Sequence, residues 1–191
     1  MVAHFDYYYD KNGPTPNRVG RGVVIMPRTS CGNSKMNATT YETTGGYKAS
    51  VVHTTACPAI ANALQTVLGS YIIDAHKFIT NEVNMNIPSM AGLGWNGAST
   101  NWEWVSSWCT IPNEVQIFGT TIFSSSAYEV GEACEKLAVF NFINHIEYQH
   151  TDFWLRNVAR HDSFVAASNG GAVNSAGVGN SLALRPLVYI G

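Results

Sequence analysis

Phe153-Trp154-Leu155-Arg156-Asn157-Val158-Ala159 and Leu184-Arg185-Pro186-Leu187-Val188-Tyr189-Ile190 are two apolar pieces, each carrying one arginine, and they bracket the stretch on which the fold turns. Residues 163–183 between them contain no charge and are almost wholly Ser, Asn, Ala, Gly and Val. From Asn157 to Gly191 there is no Lys, Glu, Gln, Met or Trp. Those five types number 26 in the 191 residues, so a window of this length should hold about five. Two causes fit the gap: a sheet of short side chains lying against an aromatic cluster, or a surface whose residues are drawn from a restricted set.

Working outward, the pattern before this stretch is short and β-prone from Thr120 onward, with pieces at 121–123, 138–143, 153–158, 164–167 and 184–190. Two helices are expected earlier. Pro58 stands at a first helical position, Ile60, Leu64, Val67 and Leu68 recur at helical spacing, and Gly69 supplies a stop. Residues 112–118 read as a shorter helix that Asn113 or Thr110 caps and Gly119 ends. Residues 19–26 read as a strand closed by Pro27, and 29–46 and 85–100 as loops. Residues 1–18 read as an arm or linker, which leaves 19–191 as one domain. Helices early and strands late, without a repeated strand–helix unit, argue for an α+β class.

Composition sets the outer bounds. Hydrophobic residues make up 46% and charged residues only 13%, and the polar surface is built from 17 Asn, 15 Ser, 15 Thr and 17 Gly. A net charge of −2 with eleven scattered Lys and Arg leaves no footprint for a phosphate backbone, so nucleic acid is not an expected partner. No apolar run approaches the roughly 20 residues of a membrane span, so no membrane insertion is expected. Cys31, Cys57, Cys109 and Cys134 lack metal-site spacing and read as free thiols. The first residues do not read as a secretory signal.

Catalytic signatures are missing. Of the six histidines only His145 and His150 are close, and a spacing of five puts them on different faces of either a helix or a strand. Glu103 lies between Trp102 and Trp104 without a second carboxylate nearby in sequence, and Asp152, Arg156 and Asp162 read as a structural ion-pair set. Trp95, Trp102, Trp104, Trp108 and Trp154 read chiefly as core, with one at a rim available to a ligand. No enzyme, cofactor or metal is expected.

Trp154-Leu155-Arg156, a strand centred on Phe164, an Asn169-Gly170-Gly171 turn and a terminal Leu184-Arg185-Pro186-Leu187 resemble a bacterial and phage domain of unknown function with the same W-L-R to R-P ending. Gly46-Tyr47-Lys48-Ala49-Ser50, Ile117-Phe118-Gly119-Thr120 and the 123–131 stretch resemble the same proteins, so the similarity spans roughly 19–191. The ending is also similar to that of the C-type-lectin-like superfamily, which includes formylglycine-generating enzymes and the variable proteins of diversity-generating retroelements. The resemblance implies a C-type-lectin-like α+β fold with two early helices and a late antiparallel sheet with long loops.

In retroelement-diversified proteins template adenines mutate, and asparagine codons then cannot become Lys, Glu, Gln, Met or Trp. Those are the five absent types, and every residue from Arg160 to Leu182 belongs to the reachable set. The resemblance therefore implies a variable region at 157–183, with Arg160, His161, Asp162, Ser163, Ala166, Ser168, Asn169, Ala172, Asn174, Ser175 and Asn180 forming a binding face and Trp154, Arg156, Arg185 and Pro186 holding its frame. The implied partner is a protein or glycan on a target cell surface, in the setting of a phage or prophage tail or head-fibre tip. An invariant structural or decoration protein of a virion or cell surface is the alternative. The oxidase branch works through a cysteine pair near its C-terminal end, and no cysteine follows Cys134 here. A calcium site is not expected either, since Asp162 is the only acidic residue after Asp152.

Overall fold

The computed structural model describes residues 1–5, 22–37, 43–80, 102–123, 135–141, 151–160 and 162–191, with backbone alone at 75–80 and 102–104. Its strands are β1 (Val2–Phe5), β2 (Val23–Ile25), β3 (Asn33–Ser34), β4 (Ala75–Thr80), β5 (Trp102–Ser107), β6 (Cys109–Thr110), β7 (Phe153–Arg160), β8 (Ser163–Ala167), β9 (Val173–Gly177), β10 (Leu182–Ala183) and β11 (Leu187–Ile190). The α-helices are α1 (Gly46–Ala49), α2 (Cys57–Leu68) and α3 (Glu114–Phe118). The class is mixed α+β.

Both expected helices form, and their ends are set by local chemistry. Pro58 occupies the first turn of α2 and Gly69 closes it, donating its N–H to Gln65. A wider π-helical turn, Val52–Ala56, leads into α2. Cys57, Ala61, Leu64 and Leu68 form its inward stripe. Val67 was counted in the same apolar spacing, yet it is 81% exposed. At 3.6 residues per turn it lies about 90° from the centre of that stripe. In α3 the Asn113 side chain accepts from the Gln116 N–H at 2.8 Å while the Gln116 side chain accepts from the Asn113 N–H at 2.9 Å. Gly119 then ends the helix at φ 88°, a left-handed conformation that favours glycine.

The strands make three sheets. The first runs β1-β2-β11-β6 and is antiparallel throughout. The second runs β3-β10-β7-β8-β9, with β10 and β7 parallel and every other pair antiparallel. β4 and β5 form a separate antiparallel pair through six residues. Val2–Phe5, within the stretch read as an arm, thus belongs to a sheet edge, with Ala3 fully buried.

Strand period explains where the core sits. On β7, Trp154 and Val158 face one apolar cluster with α2, Tyr47 and Ile111, while Phe153, Leu155 and Ala159 face another with Val24, Ile117, Phe140 and Tyr189. β8 divides likewise, Phe164 and Ala166 to the first cluster and Val165 and Ala167 to the second. These two strands are covered on both faces.

Other expectations give way to long-range bonding. Thr121–Phe123, read as a strand, is irregular, because the N–H groups of Ile122 and Phe123 donate to the Glu114 carboxylate at 3.2 and 2.9 Å. Ala138–Asn141, within another expected strand, is a 3-10 turn whose Phe140 fills the second cluster. The last strand begins only at Leu187, since Pro186 has no N–H to give a ladder. Residues 29–46, read as loop, contain β3 and the buried Met36. Cys31, Cys57 and Cys109 are free thiols, Cys31 being exposed. Cys134, His145, His150 and the 85–100 loop lie outside the described residues, and so do the side chains of Trp102, Glu103 and Trp104.

Candidate functional site

The residues expected to hold a frame are buried. Trp154 is inaccessible and its indole N–H donates to the Ser34 carbonyl at 2.8 Å, across 120 residues of sequence. Arg156 is 1% exposed, and its backbone N–H leaves the β8 ladder to donate to the Pro112 carbonyl at 2.9 Å. That excursion coincides with the register shift of β7 between Trp154 and Val158. Next to it Asn157, fully buried, accepts the Glu114 N–H at 2.6 Å. Arg185 lies over the Phe153 ring at 4.9 Å and the Phe140 ring at 5.8 Å, and Pro186 is buried beside it. Burial pushes the Arg185 guanidinium down to about 10, so it stays charged at neutral pH.

From this frame β8 and β9 project as a hairpin with unbroken pairing, from Ser163 opposite Gly177 to Ala167 opposite Val173. The turn is closed by the Ser168 N–H donating to the Ala172 carbonyl at 2.8 Å and the Gly171 N–H to the Ser168 carbonyl at 3.0 Å. The Ser168 hydroxyl accepts from the Ala172 N–H at 3.1 Å, and Asp152 accepts from the Asn169 N–H at 2.9 Å. Gly171 sits at φ 79°, where a side chain would be strained. Gly170 has a different freedom: a Cβ there would meet nothing within 4 Å.

The eleven residues expected on the face divide by burial. Asn169, Ala172, Asn174 and Asn180 are exposed, and Ser168 and Ser175 are half-buried beside them. Asn174 also turns its carbonyl oxygen to the Ser175 N–H at 2.8 Å, covering part of the β9 edge. Arg160 and Asp162 are half-buried and paired, with Nε 2.6 Å from Oδ1. Two expectations are corrected. Ser163 is fully buried: its hydroxyl accepts from Arg160 Nε at 2.6 Å and donates to Asp162 at 2.8 Å, so it braces the end of the hairpin. Ala166 is fully buried between Trp154 on β7 and Asn174 on β9 and packs in the first apolar cluster. His161 lies outside the described residues.

The signal for Ala166 was present in Phe164-Val165-Ala166-Ala167, a continuous apolar run of the kind found in strands covered on both faces, whereas nothing in the sequence marked Ser163. What remains at the surface is mostly neutral and short, amides, hydroxyls and methyl groups on the turn and its edge strand, with the Arg160–Asp162 pair at the other end of the hairpin. Among the described residues no group of three His, Cys, Asp or Glu side chains stands together to hold a metal ion. The arrangement's described polar groups are hydrogen-bond donors and acceptors, and one ion pair, set at fixed places on the hairpin.

Comparison of the chain with models of known protein families, with curated proteins and with solved structures found no match in any of the three.

Proposed function

We propose that the chain is a ligand-binding module of C-type-lectin-like architecture whose β8–β9 hairpin presents a changeable surface, as in the retroelement-diversified receptor-binding proteins of phages and prophages. The observation that carries this reading is the division of one segment of uniform composition. Between 163 and 180, buried positions brace the sheet, while Asn169, Ala172 and Asn180 are exposed on turns closed by backbone bonds and Asn174 is exposed on the edge strand β9. Side chains that no turn bond requires can be exchanged at little cost in stability. A rigid turn bearing short amides and hydroxyls also loses little entropy on binding. The ligand in this reading is a protein or glycan on a target cell.

The locus tests it. A neighbouring reverse transcriptase gene, with a near-identical repeat differing from codons 157–183 only at adenines, is the expected finding; the absence of both would sink the diversified reading.

A second reading, an invariant structural or decoration protein, draws on the Arg160–Asp162–Ser163 set and the complete burial of β8. In that reading the short side chains are there to let the sheet close on Trp154.

A further inference from the structure

Beside the first turns of α2, where the helix crosses β6, a cleft of about 310 Å³ opens to solvent. It shares no residue with the hairpin surface. We propose that this cleft binds a neutral pyranose sugar without calcium.

Size gives the first constraint. The volume is at the lower end of the roughly 300–1,000 Å³ typical of small-molecule sites, which suits one or two sugar rings and is too small for a folded partner. The lining gives the second. At the mouth stands Trp108, an indole left 40% exposed, whose face suits the C–H face of a pyranose. Around it are the Asn62 amide and the Ser106 hydroxyl, and nothing among the described residues hydrogen-bonds either side chain. Both groups can donate and accept, as sugar hydroxyls also do. The deeper wall carries His53 and Asp74, which add a carboxylate able to accept from two neighbouring hydroxyls.

Charge removes the competing ligands. Among the described residues no Lys or Arg lines the cleft, and Asp74 does, so a phosphate or carboxylate ligand finds no cation there to neutralise it. Among the described residues Asp74 is the single carboxylate in the lining, short of the oxygen set a calcium ion takes. Pro58, Ala61, Cys109 and the Trp108 indole supply apolar contact, while Asn62, Ser106, Ser107 and Asp74 set polar groups among them, a mixture that suits a sugar ring better than an aliphatic chain. A flat heteroaromatic base would also stack on the indole, but it presents few hydroxyls to Asn62, Ser106 and Asp74.

The test is saturation-transfer NMR and calorimetry on the full chain with methyl glycosides of glucose, galactose, mannose and N-acetylglucosamine, with adenosine and inorganic phosphate alongside. The expected result is binding of at least one glycoside with a Kd of roughly 1 mM, unchanged by EDTA. Trp108→Ala and Asn62→Leu should each weaken it by about 10-fold, and Lys35→Gln, at an exposed residue outside both the cleft and the hairpin surface, should leave it unchanged. Trp108 and Asn62 lie at the surface, so both variants should melt like the parent, which separates a lost ligand from a lost fold. No glycoside binding at about 50 mM, stronger binding of adenosine, or binding indifferent to both substitutions would overturn the proposal. Loss of binding on Trp108→Ala and Asn62→Leu would place the sugar in the cleft whatever the hairpin binds, and the hairpin reading is tested separately at the locus.

Discussion

The backbone N–H of Asn169 donates to the carboxylate of Asp152 at 2.9 Å, so the tip of the β8–β9 turn is held by the residue that precedes β7. A bond to a charged acceptor across the base of the sheet keeps the turn in place whatever side chains it carries. Asp152→Ala is expected to cost about 1 kcal/mol, less than a buried charged bond because this one is exposed. For a chain of this size that lowers Tm by roughly 2–4 °C. Hydrogen exchange at the Asn169 amide should accelerate more than exchange in β7, and equal acceleration everywhere would mean that the bond does not hold the turn.

Ala166 and Asn174 face each other across β8 and β9 with opposite tolerance. Ala166→Asp places a carboxylate inside the first apolar cluster and is expected to cost several kcal/mol, roughly 3 or more, enough to abolish soluble folding. Asn174→Asp, on the exposed edge strand, should stay within about 0.5 kcal/mol of the parent. Urea unfolding of the pair checks this directly.

Arg185 has one long bond, from Nη2 to the Pro27 carbonyl at 3.4 Å, and among the described residues neither Nε nor Nη1 has a hydrogen-bond partner. Its hold on the frame is therefore mainly the Phe153 and Phe140 rings. Arg185→Met keeps the apolar stem and removes the desolvated charge, so it should change stability by no more than about 1 kcal/mol. Arg185→Lys keeps a buried charge but loses the planar stack, and about 2 kcal/mol of destabilisation is expected. Denaturant midpoints in the reverse order would show that the guanidinium has a further partner.

Tyr47 gives the pH dependence. Its hydroxyl accepts from the Ile111 N–H at 3.2 Å and from Thr110 Oγ1 at 3.3 Å, and lies 3.5 Å from Cys57 Sγ. Burial first, and then the nearby Cys57, push the phenol well above its ordinary value. As pH rises past about 10 the unfolded chain loses this proton while the native state keeps it, so stability should fall with pH by up to about 1.4 kcal/mol per unit. Arg185, lowered to about 10, releases its proton in the native state first and opposes that slope with a similar size over the same range, so the Tyr47 contribution is read as the difference between the parent and Tyr47→Phe. Tyr47→Phe should cost about 1–2 kcal/mol at pH 7, because the Ile111 N–H is orphaned, but should lose less stability than the parent between pH 9.5 and roughly 11. An unchanged slope would remove Tyr47 as its cause.

Features with a local cause were legible in the sequence. Asn113 and Gly119 bound α3, Pro58 and Gly69 bound α2, and Asn169-Gly170-Gly171 forms the hairpin turn, since each acts within a few residues of itself. Features with a distant cause were not. The path of 121–123 is set by Glu114, the burial of Trp154 by Ser34, and the strand at Val2–Phe5 by pairing with β2. At the binding face, composition marked the whole segment alike, because Ser, Ala and Gly suit a packed sheet and a short-chain surface equally. Ala166 and Ala172 differ in place, one in a strand covered on both faces and the other in the turn beyond it, which composition alone does not tell apart.

The most direct test of a changeable face is to sequence codons 157–183 in sibling isolates. Replacements concentrated at Asn169, Ala172, Asn174, Ser175 and Asn180, arising at adenines, are expected, with Trp154, Ala166, Gly171 and Arg185 constant. No replacements there, or replacements spread evenly over the buried Ser163–Ala167 strand and the rest of the chain, would contradict it.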